Sequence, residues 1–291
     1  MKKLLTSIVA VATMVLMLVP SFAMAAPNTS DNKKATHTKA ELDERFQQIH
    51  LIIRSLVEEK TTAEEVLVEL SKIDVYPGED TTLESLKSLK SKPQKDSLTS
   101  DSITPMSNPD YAIDLPKPIV FQDTSTGYMY VGAHFFWESP AYWKADFPNP
   151  WPAQPGYGVA IGGNDGFGVY MSQPINRVSN TFDVYDADAN RTSYPYASSS
   201  SQYGVGYTKQ DYGYKAADGT YGYNWDSGYL GMYFTPVNSG RQMSVYSSLN
   251  HTWASTSVSI TGISYVGITW QVANPGYNWD IVSDGTLFTA Y

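Results

Sequence analysis

The residues best suited to chemistry in this chain are aromatic and polar side chains set close together. Gly222-Tyr223-Asn224-Trp225-Asp226 recurs as Gly276-Tyr277-Asn278-Trp279-Asp280. The register holds beyond the motif, matching Gly231 with Gly285 and Phe234-Thr235 with Phe288-Thr289. A Trp or Tyr face suits the apolar face of a sugar ring, while Asn, Asp and phenol groups suit its rim of hydroxyls. Between Ser139 and Gly156 lie Trp143, Asp146, Phe147 and Trp151 among five prolines. Proline stiffens a loop, and a stiff loop presents rings at low entropic cost. The candidate ligand-binding residues are therefore Trp143, Asp146, Trp151, Tyr223, Asn224, Trp225, Tyr277 and Trp279. The competing expectation for any single ring is that it packs into a core.

A second candidate is a calcium site. Asp186, Asp188 and Asn190 alternate, which lets oxygen ligands converge on a hard cation from one loop. Arg191 stands where a helix–loop–helix calcium loop has its glycine, and Ala197 where it has its closing Glu. The loop is thus at most a partial site, and a plain acidic turn is the alternative.

Catalytic constellations are sparse. A glycosidase needs two carboxylates astride the bond, and Glu138 is the single Glu beyond residue 108. A two-glutamate mechanism is closed; Glu138 with an Asp such as Asp146 stays open. Beyond residue 108 the histidines are His134 and His251, and no G-x-S-x-G elbow accompanies them. His134 and Glu138 share a strand face, but two ligands are too few for zinc. Amid Phe135, Phe136 and Trp137, His134 reads as structural.

The chain has 291 residues, no cysteine and a net charge of −9. Disulfides, thiolate metal sites and cysteine nucleophiles are excluded, and nothing resembles a nucleic-acid binder's basic footprint. No cofactor beyond calcium is expected.

The elements that must position these residues fall into unlike parts. Met1-Lys2-Lys3, an apolar run to Phe22 and Ala23-Met24-Ala25 read as a signal peptide over residues 1–25. No later apolar stretch is long enough to span a membrane. Residues 26–77 form a helical segment. Leu42, Phe46, Ile49, Ile53 and Leu56 make one stripe, and Val66, Leu67, Leu70 and Ile73 a second. Thr38 with Glu41, and Thr61 or Thr62 with the Glu three residues on, are capping boxes. Two helices bury too little to stand alone, so the segment is expected to dimerise, to dock on the following domain or to be a removable propeptide. Residues 78–108 are a polar linker.

Every Trp lies in 109–291, where the pattern is alternating throughout, with turn formers such as Asn164-Asp165-Gly166 and Asp284-Gly285 between short runs. The expected architecture is mainly all-β: an antiparallel, jelly-roll-like β-sandwich preceded by a small α-helical hairpin and linker. The expected function is a secreted, non-catalytic binding module, extracellular or associated with the cell wall, whose partner is a polysaccharide or cell-wall polymer. The alternatives are a glycan-active hydrolase and a matrix- or pore-forming β protein.

Overall fold

Local sequence explains the helices first. Thr38 and Glu41 close a capping box at the start of α1 (Lys39–Val57), and the helix buries Leu42, Phe46, Ile49, Ile53 and Leu56. The same device at Thr62 and Glu65 starts α2 (Ala63–Ser71), whose Val66 and Leu70 are buried. Strand β1 (Val75–Pro77) and the short α3 (Leu83–Lys87) follow. These elements belong to a computed structural model that describes residues 37–89, 112–138, 143, 146, 158–215 and 221–290. The expected signal peptide, residues 26–36, residues 90–108 of the expected linker and Trp151 lie outside the described residues.

From Ala112 onward the described chain is built of strands. They are β2 (Ile113–Asp114), β3 (Ile119–Asp123), β4 (Tyr128–Trp137), β5 (Gly158–Met171), β6 (Ile175–Tyr185), β7 (Arg191–Tyr194) and β8 (Ser199–Ser201). Then come β9 (Gly204–Lys215), β10 (Tyr221–Tyr223), β11 (Ser227–Pro236) and β12 (Arg241–Thr252). Last are β13 (Val258–Ser264), β14 (Gly267–Val272), β15 (Asn278–Val282) and β16 (Thr286–Ala290). One sheet has the order β1-β3-β4-β11-β6-β7, with β2 on β4. The other has the order β10-β9-β5-β12-β15, with β16 on β12 and β8 on β9, and β13 and β14 form a separate hairpin. The chain crosses repeatedly between the sheets, so most strand neighbours are distant in sequence. The fold is the expected antiparallel sandwich.

Period-2 alternation assigns each side chain of the first sheet to one of two cores. On β4, Met129, Val131, Ala133 and Phe135 point between the sheets, while Tyr130 points outward. On β11, Leu230, Met232 and Phe234 point inward and Tyr229 and Tyr233 outward. The outer face is covered by α1: Phe46, Ile49 and Ile53 pack with Ile119, Phe121, Tyr130 and Tyr229. Polar contacts fix that docking. Arg45 grips Asp123 through Nε at 2.7 Å and Nη2 at 2.9 Å. His50 places Nδ1 2.9 Å from the Tyr130 hydroxyl and Nε2 2.9 Å from Asp183. Residues His37–Tyr291 form one compact unit.

One expected turn is not a turn. Asn164-Asp165-Gly166 lies inside β5, which runs unbroken past a bulge between Ala160 and Asn164. The turn formers here bend the strand instead of reversing it. Gly162 supplies a positive φ of +64°, and a Cβ there would lie 2.9 Å from the Trp253 backbone. Asp165 lies on the same face of β5 as Phe167, Val169 and Met171 and is buried with them. Among the described residues no helix is long and apolar enough to cross a membrane.

Candidate functional site

The second sheet carries a row of side chains across its width, one from each strand in spatial order. They are Tyr223 on β10, Asp211 on β9, Asp165 on β5, His251 on β12 and Trp279 on β15. Register makes the row: Asn250 opposes Gly166, and His251 opposes Trp279. The first four are buried, and Trp279 is half-buried against the core.

Hydrogen bonds link the row. The Tyr223 hydroxyl donates to Asp211 Oδ2 at 2.9 Å and lies 3.4 Å from Asp165 Oδ2. Asp165 Oδ2 is 2.7 Å from His251 Nδ1. Asp165 Oδ1 accepts from the Thr252 N–H at 2.8 Å and from the Thr252 hydroxyl at 3.2 Å. The far nitrogen of the ring, Nε2, is 3.1 Å from Asp146 Oδ2. Three indoles surround the imidazole. Trp137 meets it edge-on at 5.0 Å, Trp279 lies at 5.2 Å and Trp253 stacks at 6.1 Å.

The electrostatics follow from burial and charge. Burial alone would lower the basicity of His251, but the Asp165 and Asp146 carboxylates outweigh it and hold the ring protonated well above its usual range. Asp211 is pushed well above the usual carboxylate range by burial and by the charge of Asp165. Tyr223 is pushed up by burial and by both carboxylates. With N–H groups on both sides, the His251 ring has no free lone pair. In that state it is an ionic bridge between Asp165 and Asp146.

The residues singled out from sequence divide in the structure. Trp143, Asp146, Tyr223 and Trp279 are brought together around His251. Trp143 and Tyr223 are buried and stack on each other at 5.4 Å, and the Trp143 indole N–H donates to Asp226 Oδ1 at 3.2 Å. Trp225 is also buried, 5.8 Å from Phe135 and 5.5 Å from Phe182. The faces of Trp143, Tyr223 and Trp225 are thus taken by the core, because the sandwich needs large rings to fill the space between its sheets. Asn224 is half-buried and its side-chain oxygen accepts the Tyr212 N–H, as a corner residue does. Tyr277 is 44% exposed. The two copies of the repeat occupy different places, yet their equivalent Phe234 and Phe288 meet at 6.3 Å.

Asp186, Asp188 and Asn190 close the turn between β6 and β7. Asp186 Oδ1 accepts the backbone N–H of Asp188 at 2.9 Å and of Asn190 at 2.8 Å, while Asp188 Oδ2 accepts the Tyr214 hydroxyl at 3.3 Å. Both Asp186 oxygens are used in shaping the loop, Oδ2 accepting from Asn190 Nδ2 at 3.0 Å. Among the described residues, the His and carboxylate ligand atoms that converge within 4.8 Å are those of Asp165, Asp211 and His251.

Asp165, Asp211, His251 and Trp253 are missing from the sequence-derived set. Asp165 hid in a turn-like tripeptide. Asp211 and His251 are single polar residues within strands whose partners lie far along the chain. A weak signal existed: each is a charged or titratable residue inside a stretch of strong β propensity.

No known family model matches this chain, and no curated protein matches it. Among solved structures, it is similar in part to AvmM, which catalyses macrocyclization in alchivemycin A biosynthesis. The identity is 9%, the match covers 56% of this chain and 79% of that one, and the TM-score is 0.23. A likeness that slight carries neither fold nor function across.

Proposed function

We propose that this chain is an exported, non-catalytic binding protein that recognises an extracellular glycan or cell-surface polymer. The observation that carries the reading is the grouping of Trp253, Tyr277 and Trp279 at one edge of the sandwich, next to the buried His251 bridge. Tyr277 is 44% exposed, Trp253 and Trp279 are half-buried, and the Trp253 N–H donates to the Tyr277 carbonyl at 2.9 Å. Rings held on one face and open on the other are preorganised to stack on a sugar. Asp146 adds a carboxylate at the same place, held by His251 Nε2. The absence of a second Glu beyond residue 108 and the full engagement of His251 favour binding over hydrolysis. Export rests on Met1-Lys2-Lys3, the apolar run to Phe22 and the small-x-small pattern Ala23-Met24-Ala25.

The test is a titration of the full chain with a panel of soluble glycans, read by Trp fluorescence, alongside sedimentation with insoluble polysaccharide and cell walls. A saturable response is expected. Trp279→Ala and Tyr277→Ala should each weaken it about tenfold, roughly 1.4 kcal/mol. Tyr277→Ala should do so without changing the melting temperature. A chain that responds to no glycan or wall preparation ends this reading.

A further inference from the structure

The buried carboxylates of this protein are compensated in two ways. Asp123 carries the Arg45 guanidinium at 2.7 Å. Asp183 carries His50, with Arg54 at 3.6 Å and Arg191 at 3.5 Å. Asp165 and Asp211 pair with no arginine or lysine among the described residues. The positive group beside them is the His251 ring, which Asp146 shares. A place built from two carboxylates on neighbouring strands, sealed from water and short of cation, is suited to a bound ion.

We infer that Asp165, Asp211 and His251 form a binding site for a divalent transition-metal ion of the zinc or manganese class. Their ligand atoms already lie within 4.8 Å of one another. Bonds of about 2.0–2.2 Å to a shared ion therefore need only small side-chain rotations. The surroundings aim the ligands. Thr252 holds Asp165 Oδ1 through two hydrogen bonds, and Oδ2, 2.7 Å from His251 Nδ1, is the oxygen whose shared proton the ion would replace. Gln210 Nε2 donates to Asp211 Oδ1 at 3.2 Å, leaving Oδ2 on the inner side. Asp146 accepts from His251 Nε2, which orients the ring as an outer carboxylate does for a metal-bound histidine. His251 Nδ1 is then the ligand nitrogen: its proton leaves to solvent and its lone pair takes the ion. One imidazole with two carboxylates suits zinc or manganese better than calcium, which prefers six to eight oxygen ligands. The site adjoins the proposed glycan surface through Asp146 and His251 but needs no glycan to be present.

The full chain, stripped with chelator, is titrated by calorimetry with zinc chloride, manganese chloride and calcium chloride separately. One zinc or manganese per chain is expected, with a raised melting temperature and no competition from calcium. Asp211→Asn keeps the Tyr223 and Gln210 hydrogen bonds and should weaken binding tenfold or more, whereas Asp188→Asn should not. Cobalt(II) loaded into the unmutated chain provides a readout that does not depend on a variant folding. Visible d–d bands should appear and be displaced by one equivalent of zinc. Absent bands, no saturable binding, or binding that survives Asp211→Asn would each overturn the site.

Discussion

Both ring nitrogens of His134 are buried without a hydrogen-bond partner, between Phe136 and Tyr229. Burial lowers its pKa to about 3. The unfolded ring titrates near 6.5, so the folded state binds fewer protons below that pH. This stabilisation is present above pH 6.5 and is lost at about 1.4 kcal/mol per pH unit as pH falls toward 3. Asp226 acts in the opposite direction. Burial, opposed by the Trp143 N–H and aided by Asp186, raises its carboxyl to about 6. That stabilisation is complete below about 3.8 and is lost as pH rises through 6. In the native chain the two slopes offset each other. His134→Leu should add about 1 kcal/mol at neutral pH and flatten the acid limb, since it removes an unpaired buried polar ring. Asp226→Asn should add roughly 1–3 kcal/mol at pH 7 and nothing at pH 3.5. Urea unfolding of both variants across pH 3.5–7.5 checks this, and unchanged slopes would refute the assignment. The structural character of His134 was legible from its aromatic neighbours. The burial of Asp226 was not, because the same pentapeptide occurs twice and only one copy is interior.

At the scale of elements, what sequence made legible was whatever is written in periodicity. The α1 stripe, the capping boxes and the alternation of β4 and β11 all follow from side chains within a turn or a strand of each other. The second core did not, because its polar contacts join residues 78 and 133 positions apart in the chain. Arg45 and His50 lie outside the apolar stripe of α1, yet they cross to Asp123 and Asp183. Asp165 escapes for the same reason: local chemistry says turn, and only its place on the buried face of β5 and a distant His251 say interior. The docking contact is testable. Asp123 also accepts the Ser125 hydroxyl and the Tyr233 hydroxyl, both at 2.6 Å, so it stays buried when Arg45 is removed. Arg45→Ala should then cost about 3 kcal/mol or more. The double variant Arg45→Met with Asp123→Leu should recover most of that loss, because no unpaired charge remains. Equal losses in the single and double variants, measured by denaturant unfolding, would show that packing and not charge sets the cost.

At the scale of the whole molecule, the question is whether the helical part belongs to the working protein or is a removable leader. Sequence alone left both open, since an amphipathic hairpin shows that it needs a partner without naming it. The contacts favour permanence. Twelve buried hydrophobic residues from Leu42 to Leu89 join the core that contains Phe121, Tyr130 and Tyr229. Each large side chain so buried contributes roughly 1.5–3 kcal/mol before ordering costs. Strand β1 adds backbone pairing, with Val75, Tyr76 and Pro77 opposite Asp123, Gln122 and Phe121. Such a surface has no need of a covalent tether: the tether raises the effective concentration of the two parts without adding a contact. Cutting the chain within residues 90–111, through an inserted protease site, should therefore leave both pieces together. They should co-elute on size exclusion at micromolar concentration, appear as two masses after denaturation, and unfold in one transition. If the helical piece elutes alone and the remaining sandwich stays soluble, the outer face of the first sheet tolerates water and the segment is a leader. If instead the freed sandwich aggregates, the aromatic outer face exposed by Ile119, Phe121, Tyr130 and Tyr229 is the cause.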